Sequence, residues 1–232
     1  MKKKQETKPK ERTTKKIQTI LDFAQRTPGV RKCPICHLEY QPTVSDDVKT
    51  HEKFHKKYVA PLPFHIKESV DLRSESLRRF VKIEWTEKTK DELTKLIEKI
   101  NQDIDMDMSY LMNENSSFIL CIEMKNVIGC LICRETQQTD RIHFCECKEY
   151  DELKLIDANK TSAKCCVDVL WVHSQFRRKH VANEMMELAR MYCCYGKKVM
   201  KEDVAITQPT HDGFAFFSFY FSGKFKLFVP FH

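Results

Sequence analysis

Four side chains near the start of the chain have the types and the spacing of a metal-binding set. Two residues separate Cys33 from Cys36. Fourteen more precede His51, and three separate His51 from His55. Two thiolates from a tight turn and two imidazoles one helical turn apart can complete a tetrahedron around zinc. We therefore predict a zinc site, with a helix over Asp46 to His55 that places both imidazoles on one face.

The zinc-binding segment over residues 31–58 is too short to fold without help. Its 28 residues bury too little apolar surface for a stable core, so the metal would supply the folding free energy. One finger of this kind covers about three base pairs, and useful DNA affinity usually needs several fingers. We therefore favour a structural or protein-docking finger over a sequence-specific DNA reader.

A second set of side chains has the pattern of a phosphate-binding loop. A continuous apolar run from Cys165 to Val172, broken by Asp168, is typical of a buried strand. Arg177-Arg178-Lys179 follow it, and a helical pattern then runs from Val181 to Tyr195. Backbone N–H groups at a helix start, together with guanidinium groups, form a pyrophosphate site.

The elements that must position these groups alternate between strands and helices. Apolar runs on either side of Lys125-Asn126 predict a hairpin, and residues 142–147 are expected to extend it as a meander. This order predicts a mixed α/β domain. We predict strands over 80–85, 118–122, 127–133, 165–172, 204–207 and 224–229, and helices over 91–100, 181–195 (capped by Gly196) and 212–220.

Charge and composition divide the chain into five segments. The net charge is +7, and residues 1–16 hold eight basic and two acidic side chains, which gives 8 − 2 = +6. A basic tail on a nearly neutral body fits nuclear import, a loose contact with nucleic acid, or a solvated terminus. We expect a basic tail over 1–16, a short apolar segment over 17–30, the zinc finger over 31–58, a linker over 59–76 and the main domain over 77–232.

Composition excludes several classes of protein and of site. No stretch approaches the roughly 18 apolar residues of a membrane helix, and we see no signal peptide. The five glycines are too far apart for a GxGxxG or Walker loop. The eleven cysteines favour a reducing compartment and no structural disulfides. The adjacent pairs Cys165-Cys166 and Cys193-Cys194 lack metal-ligand spacing.

The six positions from Arg177 to Ala182 resemble the coenzyme A loop of the GNAT acetyltransferase superfamily, which reads Q/R-x-x-G-x-G/A. The first and last positions fit, and His180 stands where glycine is usual. The order of finger, hairpin, buried strand, basic loop and helix resembles the cohesin acetyltransferases, the establishment-of-cohesion family. This resemblance covers nearly everything from residue 17 to the end, but it is thin between about 60 and 117. It is carried by Leu21 to Arg26, Cys33, Cys36, Tyr40, His51, His55, Trp171-Val172, Arg177-Arg178-Lys179, Val181-Ala182, Tyr195-Gly196, Lys201-Glu202, Ala205, Gln208-Pro209-Thr210, Gly213 and Lys226 to Val229.

The resemblance implies a GNAT mixed-sheet domain behind the zinc finger, and acetyl transfer from acetyl-CoA to protein lysines. It places an acidic residue near the site on the helix after the loop, and Glu187 is the match. Asp168 is a second carboxylate that could accept the proton or bind the incoming ammonium. An apolar setting would raise the pKa of a carboxylate toward that of a useful base. The candidate acetyl-CoA residues are Leu170, Trp171, Val172, Arg177, Arg178, Lys179, His180, Val181 and Ala182, and those of the substrate groove are Lys201, Gln208 and Asp212.

The family's substrate is a pair of neighbouring lysines on the ATPase head of cohesin's third structural-maintenance-of-chromosomes subunit. By resemblance the chain would act on that head, on chromatin in the nucleus, to establish sister-chromatid cohesion. Two departures mark a divergent member, because Asp168 replaces the family's usual serine and Val169 its usual arginine. They leave two alternatives open: a catalytically weak zinc-finger adaptor, and a GNAT lysine acetyltransferase with another protein substrate.

The segment from Gln18 to Phe23 predicts at most a weak contact with the sliding clamp (PCNA). Clamp ligands often carry the pattern Q-x-x-h-x-x-a-a. Gln18 and Leu21 fit its first half, but Ala24 and Gln25 stand where the aromatic pair is needed. We favour packing of this segment's apolar side chains on the finger or the main domain.

Overall fold

The computed structural model describes residues 29–75, 77–104, 108–137, 141–146, 149–150 and 160–229. The chain divides into two compact units, with the boundary between Tyr58 and Val59. The predicted tail over 1–16, and Gln18 and Leu21 of the predicted clamp contact, lie outside the described residues. Within the described ranges, no helix is long and apolar enough to cross a membrane.

The first unit is a short hairpin followed by a helix. The turn after Cys33 is tight: the N–H of Cys33 donates to the carbonyl of Leu38, and His37 adopts a left-handed φ of 57°. The predicted helix is confirmed and is longer than expected. The elements are β1 (Arg31–Lys32), β2 (Glu39–Tyr40) and α1 (Ser45–Tyr58).

The second unit is a ten-stranded mixed sheet with helices on both faces. Its strand order is β4-β5-β6-β7-β10-β11-β12-β8-β9, and β3 pairs with β7. Only β10–β11 and β11–β12 are parallel among the described strand pairs. The strands are β3 (Leu62–Pro63), β4 (Val70–Ser74), β5 (Arg78–Glu84), β6 (Ser117–Glu123), β7 (Asn126–Glu135), β8 (Arg141–Glu146), β9 (Lys160–Thr161), β10 (Cys165–Val172), β11 (Val204–Ile206) and β12 (Lys224–Val229). The helices are α2 (Lys90–Ile104), α3 (Val181–Tyr192) and α4 (His211–Tyr220).

Each face of the sheet has its own apolar core. Helices α3 and α4 cover one face, where Met185 and Phe217 are buried with Leu131 of the sheet. Helix α2 covers part of the other face through the period-3.6 stripe predicted from the sequence. Gly129 lets α3 approach closely, because a Cβ there would lie 2.9 Å from both Val181 and Met185 side chains.

The predicted hairpin is confirmed as β6 and β7. Its turn lies at Met124-Lys125, one residue earlier than expected, and both residues have positive φ. A two-residue turn of this kind matches the right-handed twist of the flanking strands. Residues 142–147 do not extend this meander: the strand there is β8, which pairs with β12 and β9.

Two further expectations differ from the structure. Residues 59–76 were expected to be a linker, but they include β3 and β4, which pair with β7 and β5. Their side chains are mostly exposed, as on a sheet edge, so no apolar repeat marks them. Helix α3 ends at Tyr192 rather than Tyr195, with Cys193 as its C-cap. Gly196 supplies a left-handed residue, φ +70°, three positions later.

Candidate functional site

Strands β10 and β11 pair for only three residues and then separate. The parallel register joins Cys165 to Val204 and ends where Val167 meets Ile206. Thr207 closes the end of this pairing, since its N–H donates to the carbonyl of Val167 (3.1 Å) and its hydroxyl to the carbonyl of Asp168 (2.7 Å). Strand β10 continues to Val172, so a wedge opens between β10 and the segment after β11.

A β-bulge at Asp168 reverses which side chains of β10 face each core. The register with β7 shifts between Val167 and Val169. Val167 therefore packs on the side of α3, whereas Val169 and Trp171 pack on the side of α2. The indole N–H of Trp171 donates to Asp103 (2.7 Å), which fixes this outer half of β10. The bulge thus sets the direction of the strand along the wedge.

The Asp168 carboxylate is fully buried and lies beside a cation. Its Oδ2 atom is 3.3 Å from Nε of Arg134, whose guanidinium stacks on the ring of Phe228 at 4.4 Å. Burial of a carboxylate is tolerated when a charge partner is present. The sequence predicted an apolar setting for Asp168, but the carboxylate forms an ion pair with Arg134. This pairing favours a positioning role for Asp168.

The predicted phosphate loop leads directly into α3. Arg177, Arg178, Lys179 and His180 are all exposed at this point. The first helical hydrogen bond runs from the N–H of Glu184 to the carbonyl of His180, and His180 supplies no side-chain cap. The N–H groups of the first turn, which begins with Val181 and Ala182, therefore have no partner within the helix and favour an anion.

The backbone conformation at His180 explains why glycine is usual at this position of the loop. Its backbone is left-handed, with φ 64° and ψ 0°. Glycine adopts this conformation without strain, whereas a side chain with Cβ does not. The chain therefore keeps the loop geometry without the glycine.

Basic side chains that the sequence analysis missed position the loop. Arg78 donates to the carbonyl of Lys179 (3.1 Å) and pairs with Glu123 (3.1 Å). Arg73 pairs with Glu184 in the first turn of α3 at 2.8 Å. Arg73 lies on the edge strand β4 and Arg78 on the neighbouring β5, both in the region of thin resemblance, where no motif marked them.

Arg177 connects the two sides of the wedge. Its Nε donates to the carbonyl of Val172 at the end of β10 (3.1 Å), and Nη1 lies 3.5 Å from the carboxylate of Asp212 in α4. Gln208 is exposed and directly follows Thr207, at the point where β10 and β11 separate. The fold therefore brings two of the three predicted substrate-groove residues to the wedge.

Glu187 lies between α3 and α4 in a cluster of donors. It accepts from Arg190 Nη1 (2.8 Å) and from the Tyr220 hydroxyl (2.6 Å). The ammonium of Lys201, the third predicted groove residue, lies over the Tyr220 ring at 4.2 Å. Burial raises the pKa of Glu187, but the Tyr220 hydrogen bond and the Arg190 charge outweigh it, so the net pKa is lowered. The expected apolar setting is absent here, and the carboxylate is held ionised.

The four predicted zinc ligands come together in the first unit. Their donor atoms all lie within 4.8 Å of one another, and Cys33 Sγ is 3.4 Å from His55 Nδ1. The Nε2 atom of His51 is buried without a hydrogen-bond partner, and its ring stacks on Tyr40 at 4.0 Å. The backbone N–H of Cys36 lowers the pKa of Cys33 to about 6, which favours the thiolate. This donor set fits zinc.

Two family models match the chain at these sites. Residues 18–57 match the zinc-finger of acetyl-transferase ESCO, and residues 161–229 match the ESCO1/2 acetyl-transferase model. Both regions of the chain are therefore similar to the ESCO acetyltransferases. The second match spans β10, the basic loop, α3, α4 and β12, so the family region includes the whole wedge.

Individual curated proteins show the same similarity. The chain is 26% identical to human N-acetyltransferase ESCO1 over 223 residues, which are 89% of this chain and 26% of ESCO1. It is 22% identical to N-acetyltransferase ECO1 of Candida glabrata, covering 85% of both chains. The chain spans about a quarter to a third of the length of the first animal relatives it matches.

A solved structure shares the fold of the second unit. The xEco2 acetyltransferase domain bound to a CoA conjugate superposes with a TM-score of 0.60 at 18% identity, over 72% of this chain and all of that domain. The mixed α/β acetyltransferase fold predicted from the sequence is therefore confirmed.

Proposed function

We propose that the chain is an acetyl-CoA-dependent protein lysine N-acetyltransferase. The observation that carries this proposal is the separation of β10 from β11 beside an uncapped helix start. An extended thioester cofactor needs both a slot for its arm and a cluster of donors for its phosphates. The named activity of the ESCO1 and ECO1 relatives and the CoA conjugate of the structural neighbour support the same function.

The loop and strand would divide the work of binding acetyl-CoA. The first-turn N–H groups of α3, with Arg177, Arg178 and Lys179, would bind the pyrophosphate. Arg177 would exchange its contact with Asp212 for this anion. The backbone of β10 from Leu170 to Val172 borders the wedge and would hold the pantetheine arm.

The proton of the substrate lysine requires an acceptor, for which we propose Glu187. A carboxylate with a lowered pKa is fully ionised at neutral pH, although its driving force for proton uptake is small. Tyr220 and Arg190 fix its orientation. Asp168, already beside Arg134, would contribute to the field at the end of the wedge rather than take the proton.

We further propose that the substrate is the ATPase head of cohesin's third structural-maintenance-of-chromosomes subunit, acetylated on chromatin in the nucleus. The similarity of both the finger and the second unit to the ESCO models supports this proposal. A contact with the sliding clamp would be weak at most, because the aromatic pair of the clamp motif is missing.

Calorimetry with acetyl-CoA separates this function from a zinc-finger adaptor. The enzyme should bind acetyl-CoA, and absence of binding at millimolar acetyl-CoA would contradict the proposal. Acetylation of recombinant cohesin heads should then exceed that of histones. Equal or greater modification of histones would retain the enzyme but overturn the substrate.

A further inference from the structure

Three buried cysteines distant in sequence meet in the second unit. Cys133 lies on β7, Cys165 begins β10 and Cys193 caps the C-terminus of α3. Their sulfur atoms all lie within 4.8 Å of one another. Tetrahedral zinc–sulfur bonds of about 2.3 Å place sulfurs roughly 3.8 Å apart, so a modest contraction would bring this triad into coordination. None of the described cysteines forms a disulfide.

The triad lies beneath a solvent cleft, which supplies a path for an ion. The cleft has a volume of about 1180 Å³ and is lined by Cys193, Cys194 and Glu135, among others. The thiol of Cys194 is half-buried and approaches the carbonyl of Lys164 at 3.4 Å. Cys194 also contacts Cys193 and Glu135, so the cleft offers an additional sulfur or oxygen donor next to the triad.

The net charge of the filled three-thiolate site favours a divalent ion over a monovalent one. Three thiolates around Zn²⁺ leave one net negative charge, whereas around Cu⁺ they leave two, which costs more in a buried site. Lys82 lines the same cleft as Cys193. Lys197 and Lys198 also line the cleft.

We propose that Cys133, Cys165 and Cys193 form a second zinc site, completed by a donor from the cleft. The three thiol protons leave to solvent as the ion binds. The ion would link the end of α3 to β7 and β10, which already pair with each other as antiparallel strands. It would thereby fix α3, which contains Glu187 and directly follows the phosphate loop.

Zinc content per chain tests the proposal directly. The full chain is loaded with Zn²⁺ under reducing conditions, separated from unbound metal, and analysed by elemental mass spectrometry. We expect about two zinc ions in the wild type, and about one in either Cys193→Ser or Cys33→Ala. The matched control Cys121→Ser changes another buried thiol of the same core face and should keep both ions.

Two outcomes would overturn the second site. A wild-type value of one ion that falls to zero in Cys33→Ala places all zinc in the finger. Two ions in both the wild type and Cys193→Ser would exclude the triad as the ligand set.

A measurement that leaves the triad intact covers the case in which Cys193→Ser fails to fold. In Cys33→Ala/Cys36→Ala the finger has no thiolates, so a thiolate-to-Co²⁺ charge-transfer band after Co²⁺ addition must come from other cysteines. We expect this band, and its absence would contradict the proposal.

Discussion

At the scale of single residues, the Glu187 carboxylate is positioned by two donors on its own helix and on α4. Partial burial raises the pKa of this carboxylate, but Tyr220 and Arg190 lower it by more, so the group stays ionised. Burial, followed by the hydrogen bond to Glu187, raises the pKa of Tyr220 to about 12. Tyr220 therefore stays a hydrogen-bond donor throughout the physiological range of pH.

Tyr220→Phe should shift the acid limb of the kcat–pH profile to higher pH. The hydroxyl lowers the pKa of Glu187, so its removal raises that pKa and leaves Glu187 protonated up to a higher pH. The rate should fall on the acidic side and change little at pH 8. Tyr192→Phe, an exposed tyrosine of α3, is the matched control. An unchanged acid limb in Tyr220→Phe would contradict the role of Glu187 as base.

His180→Gly should stabilise the second unit. A left-handed residue with a Cβ costs about 1 kcal/mol, and the greater freedom of glycine in the unfolded chain offsets part of this gain. His180→Ala keeps the Cβ and should give no gain. Denaturation followed by tryptophan fluorescence reports this unit alone, because Trp85 and Trp171 both belong to it. Equal stability of the glycine and alanine variants would refute the strain argument.

At the scale of elements, the wedge and the loop act together because β10 leads directly into the loop and α3. Periodicity predicted β6, β7, β10, α2 and α3, since each buries one regular face or a continuous run. It missed β4, whose exposed edge has no apolar repeat, and the partners of β8, which depend on contacts distant in sequence. The bulge at Asp168 and the cysteine triad also escaped, because no local pattern records such pairings. The catalytic candidates came from family resemblance rather than from periodicity.

Arg177→Ala should raise the KM for acetyl-CoA about tenfold with little change in kcat. A charged hydrogen bond to phosphate contributes equally before and during the reaction, so its loss weakens binding alone. Lys198→Ala removes an exposed cation in the segment after the C-terminus of α3 and should leave both constants unchanged. A large loss of kcat with constant KM would place Arg177 in the chemical step instead.

At the scale of the whole molecule, the finger and the second unit are separate compact bodies. The second has large cores on both faces of its sheet, whereas the first depends on four metal ligands. Their stabilities should therefore respond differently to metal.

Cys33→Ala should unfold residues 31–58 and spare the second unit. The finger has no core to replace its metal, so its helical signal should be lost even in excess zinc. The thermal midpoint of tryptophan fluorescence and the binding of acetyl-CoA should match the wild type. Loss of acetyl-CoA binding in this variant would contradict the independence of the two units.

The rate of acetyl transfer to recombinant cohesin heads by Glu187→Gln tests the central claim most directly. The side chain keeps its shape, so folding and acetyl-CoA affinity should survive while kcat falls by about 10²- to 10⁴-fold, the usual span for a positioned general base. Glu202→Gln, an exposed acidic residue near β11, should retain the wild-type rate. A Glu187→Gln enzyme with wild-type kcat from pH 6 to 9 would contradict the account and shift the assignment of the base to Asp168.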